Sequence, residues 1–155
     1  RDKIKIGCSG KVVSGFEIAR RLALGADYCN AARGMMFALG CIQAQKCQTN
    51  ECPVGVATQN PQRTRGLVVE DKAQRVRYFQ RNTVRSFNQI LAALGLEHPD
   101  EISPSLLYRR VTPTVVRPYD ELYTFLEPGE LLAGTDHPVF RRAWEAADAD
   151  RFGTG

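Results

Sequence analysis

The chain has 155 residues, 43% of them hydrophobic, and a formal net charge of +4. That suffices to bury one core, and no apolar run is long enough to cross a bilayer, so a membrane protein is excluded on this reading and a soluble one expected. The basic excess lies mostly between Arg63 and Arg85, interleaved with helix formers rather than with exposed aromatics and glycines. This argues for a solvated helix face, or one touching an acidic partner, and against a nucleic-acid site.

In chain order, Lys3-Ile4-Lys5-Ile6 alternates charge and β-branched residues and predicts a short strand, broken by Gly7-Cys8-Ser9-Gly10. Ser14 and Glu17 have the spacing of a capping box. They open a helix whose apolar face is Phe16, Ile18, Ala19, Leu22 and Ala23 and which Gly25 ends. Ala26 to Asn30 is the next strand. Strand, glycine loop, helix and strand make a βαβ unit, which implies parallel strands joined right-handedly. Ligands in α/β folds collect at the carboxyl edge of such strands, so Ser9-Gly10-Lys11 and Asn30-Ala31-Ala32-Arg33-Gly34 should converge there. Gly10 permits close backbone approach, while Lys11, Arg33 and the following helix N-terminus favour a phosphate. The same glycines suit an ordinary turn equally well. No GxGxxG opens the helix and no acidic residue ends the second strand, so a dinucleotide fingerprint is missing.

Met35 to Cys41 reads as a nearly all-apolar helix that should be buried and deliver Cys41 from the interior. Glu70 to Leu94 is the longest helical pattern, with Val76, Phe79, Thr83, Phe87, Ile90 and Leu94 on one stripe and Arg77, Arg81 and Arg85 on another, stopped by Gly95 and Pro99. Ser103-Pro104 starts a short helix through Leu107. Tyr119 to Phe125 and Pro138 to Ala147 follow, the last expected to pack Phe140, Ala143, Trp144 and Ala147 into a core.

The run Cys41-x5-Cys47-x4-Cys52-Pro53 holds three of the five cysteines. An odd triplet in one loop, with no apolar leader ahead of it, argues against a secreted disulfide framework and for a metal in a reducing, cytoplasmic compartment. Zinc fits the spacing poorly, because CxxC knuckles are absent and His98 and His137 lie far downstream. Iron–sulfur clusters take thiolates at looser spacing, often with a proline after the last cysteine, and three ligands suit a three-iron cluster or a four-iron one that borrows a ligand. Cys8 and Cys29, single and in apolar segments, are expected to be small buried hydrophobes.

Gly40-Cys41-x5-Cys47-x4-Cys52-Pro53-Val54-Gly55-Val56-Ala57-Thr58-Gln59 resembles the cluster loop of the FMN-binding glutamate synthase family. The likeness extends upstream through Ser9-Gly10, Ser14-Gly15, Leu24-Gly25-Ala26 and the segment from Asp27 to Gly40, and thins beyond Leu94. It implies an α/β fold: the terminal portion of a (β/α)8 TIM barrel, the last one to two strands with their helices, followed by a mostly helical extension. Residues 1–60 would end the barrel and carry the iron–sulfur loop, 61–110 would pack helices on it, and 111–155 would form a helical tail.

The resemblance further implies that Cys41, Cys47 and Cys52 ligate a [3Fe-4S] cluster, and that Gly10, Lys11, Ala32 and Arg33 stand at the FMN phosphate. The implied reaction is the reductive synthesis of L-glutamate from 2-oxoglutarate and the nitrogen of ammonia or glutamine, with a ferredoxin or an NAD(P)H-dependent reductase subunit as electron donor. The family usually has Asp-Gly-Gly after the first of these strands and Gly-Thr after the second. Here Ser9-Gly10-Lys11 and Ala32-Arg33 stand instead, so only Gly10 carries over directly. A complete barrel needs about 250 residues, so the chain is expected to be the carboxyl-terminal part of a longer protein and to need the upstream remainder of the synthase barrel as its partner. No catalytic residue is named, since 2-oxoglutarate and amidotransferase residues would lie upstream. A non-enzymatic iron–sulfur electron-transfer or regulatory module, a domain with metal-free reduced thiols, and an FMN barrel oxidoreductase for another amino or oxo acid remain open at this point.

Overall fold

A computed structural model describes residues 3–150; residues 1–2 and 151–155, the ends of the first and last expected segments, lie outside the described residues. The first half runs β1 (Gly7–Ser9), α1 (Gly15–Ala23), β2 (Tyr28–Asn30), α2 (Arg33–Leu39), α3 (Pro61–Thr64) and α4 (Val69–Ala93). Two 3₁₀ turns, Pro99–Glu101 and Pro104–Leu106, lead to β3 (Tyr108–Arg110) and β4 (Val116–Pro118). The chain continues with α5 (Tyr119–Leu122), α6 (Glu130–Ala133) and α7 (Pro138–Glu145). The fold is mixed α/β, mostly helical, with two small two-stranded sheets.

β1 and β2 pair in parallel, Gly7 against Tyr28, Cys8 against Cys29 and Ser9 against Asn30, as the βαβ pattern requires. The first strand, however, is not at Lys3–Ile6 but at the glycine-bearing segment expected to break it. A strand forms where a partner exists. Pairing begins where the Asp27 amide donates to the Ile6 carbonyl (2.8 Å) and the Ile6 amide to the Asp27 carboxylate (2.6 Å), while Ile4 is 68% exposed. Glycine serves at position 7 because a Cβ there would stand 2.6 Å from the Tyr28 ring. Cys8 and Cys29 face each other half-buried rather than buried, and burial pushes the Cys29 thiol up, with Cys8 adding to the shift.

At α1 the Ser14 hydroxyl accepts the Glu17 amide, but the Glu17 carboxylate turns to Arg20 (2.8 Å) and Arg21 instead of closing the capping box. A charge-assisted bond outcompetes the neutral backbone donor. Gly15, Ala19 and Ala23 form the buried face, whereas Phe16, expected on it, is 50% exposed. This face meets α4, whose apolar stripe runs as expected with Arg77, Arg81 and Arg85 outside. Leu91, absent from the expected stripe, is buried beside Phe87. Ala19, Ala23, Phe87, Leu91, Ile102, Leu107 and Tyr119 make the core.

The β3–β4 hairpin was not legible, because Arg109, Arg110 and Arg117 interrupt the apolar pattern and all of β3 is exposed. α5 stops at Leu122 instead of Phe125, because Tyr123 turns extended. α7 forms, but Ala143, Trp144 and Ala147 are exposed, so the core expected there is not built among the described residues. Among them no helix is long and apolar enough to cross a membrane.

Two outcomes follow from this packing. A Cβ on Gly15 would lie 2.4 Å from the Phe87 backbone nitrogen. Gly15→Ala is therefore expected to cost about 1–3 kcal/mol or more as an overpacked core, read by chemical denaturation, whereas Gly66→Ala, which meets only the Arg63 carbonyl at 3.5 Å, should unfold near wild type. In the tail, the Glu130 carboxylate accepts the Thr135 hydroxyl and the Glu127 amide, and these bonds, the Thr135 one foremost, hold its pKa below the usual carboxylate range. A depressed pKa stabilises above the unfolded value and is lost as pH falls through the folded one. Hydrogen exchange at Glu127 should thus show extra opening below about pH 4, and Thr135→Val should flatten that dependence.

Candidate metal centre

α2 is wedged between the loop after β1 and α4. A Cβ on Gly34 would stand 3.1 Å from the Phe79 ring and 3.3 Å from the Val12 carbonyl, so glycine lets the two post-strand loops meet. The helix ends in a Schellman motif: Gly40, at φ +107°, donates to Phe37 and Cys41 donates to Met36, both at 2.9 Å. The amide of Cys41 is thus part of the cap that aims it. Contrary to expectation, α2 is not buried as a whole; Gly34 alone is, and Phe37 is 38% exposed. One flank packs on α4 while Met36, with Ala32 and Arg33, faces a cavity of about 530 Å³.

The other wall of that cavity is built from Cys41 to Cys47 and Cys52 to Val54, so Cys41, Cys47 and Cys52 all line it. Gln43, Gln45 and Asn50 sit at φ between 54° and 61°, a left-handed conformation that costs of order 1–3 kcal/mol each and concentrates at functional sites. Asn50 ties the middle of the loop to its carboxyl end, its side-chain oxygen accepting the Gln59 amide (2.7 Å) and its carbonyl the Thr58 hydroxyl (2.6 Å). Gly55, at φ +81°, packs so closely that a Cβ would lie 2.4 Å from the Arg63 carbonyl.

The three sulfurs differ. Cys47 is exposed, Cys41 half-buried and Cys52 buried. The Gln43 amide donates to Cys41 Sγ at 3.4 Å. Cys52 lies near the backbone amides of Val54 to Ala57, and these, that of Ala57 foremost, hold its thiol below the usual pKa against the opposing effect of burial. Amides aimed at sulfur stabilise a thiolate, the form that binds metal, and are also a device that tunes iron–sulfur clusters. Among the described residues no three His, Cys, Asp or Glu side chains converge on a point for one ion. The thiols instead ring a space, an arrangement whose soft donors fit an iron–sulfur group better than a single hard cation.

A family profile described as "Conserved region in glutamate synthase" matches residues 1–97. The chain belongs to the glutamate synthase family. It is 39% identical, over 81% of its length, to the glutamate synthase large subunit-like protein YerD of Bacillus subtilis, covering 24% of that protein. It is 36% identical, over 66% of its length, to the ferredoxin-dependent glutamate synthase of Pyropia yezoensis, covering 7%, and 32% identical, over 62%, to the archaeal glutamate synthase [NADPH] of Methanocaldococcus jannaschii, covering 19%. The chain thus spans a quarter or less of these relatives.

Within this glutamate synthase region, the structure brings Ala32 and Arg33 into the same cavity as the three cysteines. Gly10 and Lys11 form a tight turn, at φ 92° and 54°, at the carboxyl end of β1 beside β2, outside that cavity's lining. Arg21 donates to the Gly10 carbonyl and so ties this turn to α1. Sequence reasoning missed the amides of Val54 to Ala57 and the Asn50 clamp. The amides carry no side-chain signature, though Gly55 between two valines marks the sharp turn that lets them point inward.

Gly55→Ala combines a disfavoured φ with a backbone clash. It is expected to speed amide exchange at Val54, Val56 and Ala57 at least tenfold, about 1.4 kcal/mol of local stability, with Asn50→Ala producing a smaller effect centred on Gln59. Unchanged exchange in both variants would show that these contacts do not hold the loop.

Proposed function

We propose that this chain is the iron–sulfur and flavin-phosphate part of a glutamate synthase-like oxidoreductase. Cys41, Cys47 and Cys52 ligate a [3Fe-4S] cluster, and Gly10, Lys11, Ala32 and Arg33 hold the phosphate of FMN. The observation that carries this reading is the shared cavity: three thiols open onto the same space as Ala32 and Arg33, which follow β2. When bound, the cluster supplies one-electron transfer and the flavin converts it to two-electron chemistry. The chain's own residues do the rest. The thiolates bind iron, the amides of Val54 to Ala57 spread the charge on Cys52, and Lys11 and Arg33 neutralise phosphate where relatives of this type use glycine-rich backbone.

On this reading the complete enzyme forms L-glutamate reductively from 2-oxoglutarate and the nitrogen of ammonia or glutamine, in the cytoplasm, where thiols stay reduced. The rest of a (β/α)8 barrel, about 250 residues in all, comes from polypeptide upstream of Arg1. That remainder would cover Ile4, Ile6 and Tyr28, which are 47–68% exposed around the parallel pair. A ferredoxin or an NAD(P)H-dependent reductase subunit supplies the electrons.

The test is anaerobic purification of the full-length protein, with iron, sulfide and flavin analysis and EPR. Both cofactors are expected, with the EPR signal lost in Cys41→Ser, Cys47→Ser and Cys52→Ser. In Lys11→Ala/Arg33→Ala, FMN affinity should fall at least tenfold, about 1.4 kcal/mol. A cluster without flavin would point to an electron-transfer or regulatory module, and neither cofactor to a domain of reduced thiols. Both cofactors without glutamate formation would point to an oxidoreductase for another amino or oxo acid.

A further inference from the structure

The last turn of α2 contains no basic residue, although a helix C-terminus favours cations. Positive charge reaches it from elsewhere. A Cβ built on Gly40 would stand 3.7 Å from Lys72 Nζ and 3.9 Å from Arg75 Nη1. Both belong to the first two turns of α4, three residues apart and therefore on one face. For α4 itself they are badly placed, since cations are disfavoured near a helix N-terminus, where Glu70 and Asp71 already complement the dipole. Their placement is explained by what they face: the end of α2 and, one residue on, Cys41. Adjacent Cα atoms are 3.8 Å apart, which puts both cations within roughly 12 Å of the Cys41 sulfur.

Solvent screens Lys72 incompletely. The Lys72 side chain is 18% exposed, although the Asp71 carboxylate at 3.5 Å offsets part of its charge. Arg75 is exposed, and Asp71 lies one turn before it on the same face of α4, so its charge is partly offset as well. A group held by three thiolates is anionic and gains a further negative charge on one-electron reduction. A nearby cation therefore stabilises the reduced form more than the oxidised one.

We propose that Lys72 and Arg75 set the reduction potential of the iron–sulfur group held by Cys41, Cys47 and Cys52, raising it so that the group accepts an electron more readily. This rests on the reading of the triplet as cluster ligands. Neither residue touches the thiols; they are positioning residues that act through charge.

The experiment is a dithionite titration of the full-length protein with redox mediators, following the cluster by EPR. Wild type is compared with Arg75→Gln, Lys72→Gln and the double variant. Neutralising either cation is expected to lower the midpoint, and both together should shift the reduced-to-oxidised ratio at fixed potential about tenfold, about 59 mV for one electron. Arg75→Lys should keep the wild-type midpoint. Arg81→Gln should also keep it, since it removes a cation stacked on the Tyr78 ring on the exposed side of α4. A merely structural role at the end of α2 would change stability and leave the midpoint alone. An intact cluster with an unchanged midpoint in the double variant would overturn the proposal and leave the cluster reading standing, whereas no cluster in wild type would overturn both. Should Lys72→Gln fail to fold, the exposed Arg75→Gln decides alone: a midpoint equal to wild type rejects the proposal.

Discussion

The crossing of α1 over α4 leaves no room for a side chain at Gly15, where an added Cβ would meet the backbone of Ser86 and Phe87 below 3 Å. Ala19 and Ala23 continue the same face at intervals of four, so the two helices approach with small residues on one side and Phe87 and Leu91 on the other. Everything downstream depends on this contact. α4 is 25 residues long, roughly 37 Å at 1.5 Å per residue, and behaves as a rigid rod over that span. Its carboxyl half is fixed in the core. Its amino half carries Phe79 against Gly34 and the two cations against Gly40, and these contacts place α2 and hence the first cysteine.

Local signals in the sequence were read well where their causes were local. Ser14 caps α1, the stripe from Val76 to Leu94 faces inward, and the parallel pairing of β1 with β2 follows from strand, helix and strand in succession. Where the cause lies in another part of the chain, local sequence does not reveal it. Lys3 to Ile6 alternates like a strand, yet the bonds of Ile6 go to Asp27 and the Tyr28 amide and no ladder forms there, while Gly7-Cys8-Ser9 looks like a break yet pairs in register with Tyr28 to Asn30. Met35 to Leu39 is apolar enough to be buried all round, but α4 covers a single flank and the other opens to the cavity. Composition reports that a residue prefers burial, not whether a surface is there to bury it.

The candidate site divides along the same line. Cysteine spacing is visible in one dimension, and the three thiols do share a cavity. The amides near Cys52 are not visible, because every residue carries one and only the turn at Gly55 brings those of Val54 to Ala57 close to the sulfur. In the sequence Lys72 and Arg75 belong to the basic excess of a solvated helix. Three residues apart on α4, they belong instead to the electrostatics of a loop thirty residues earlier, a relation that only the packing of α2 on α4 creates.

The two halves of the site also differ in how far this chain supports them. The loop from Cys41 to Gln59 is braced internally: Asn50 binds its middle to its carboxyl end, and Gly55 packs against the Arg63 carbonyl. These contacts, with those of Gly40, fall within the loop and on α2, α3 and α4. The phosphate half is more open. Lys11 and Arg33 are exposed, Gly10 and Lys11 are held by one bond from Arg21, and the strands that present them have exposed apolar neighbours on either side. Two exposed cations contribute little until other groups exclude water from the ligand, because charge interactions weaken steeply in high dielectric. On the proposed reading, retention of the iron–sulfur group is thus largely a property of this chain, whereas flavin affinity belongs to the assembled barrel that lowers the dielectric around Lys11 and Arg33.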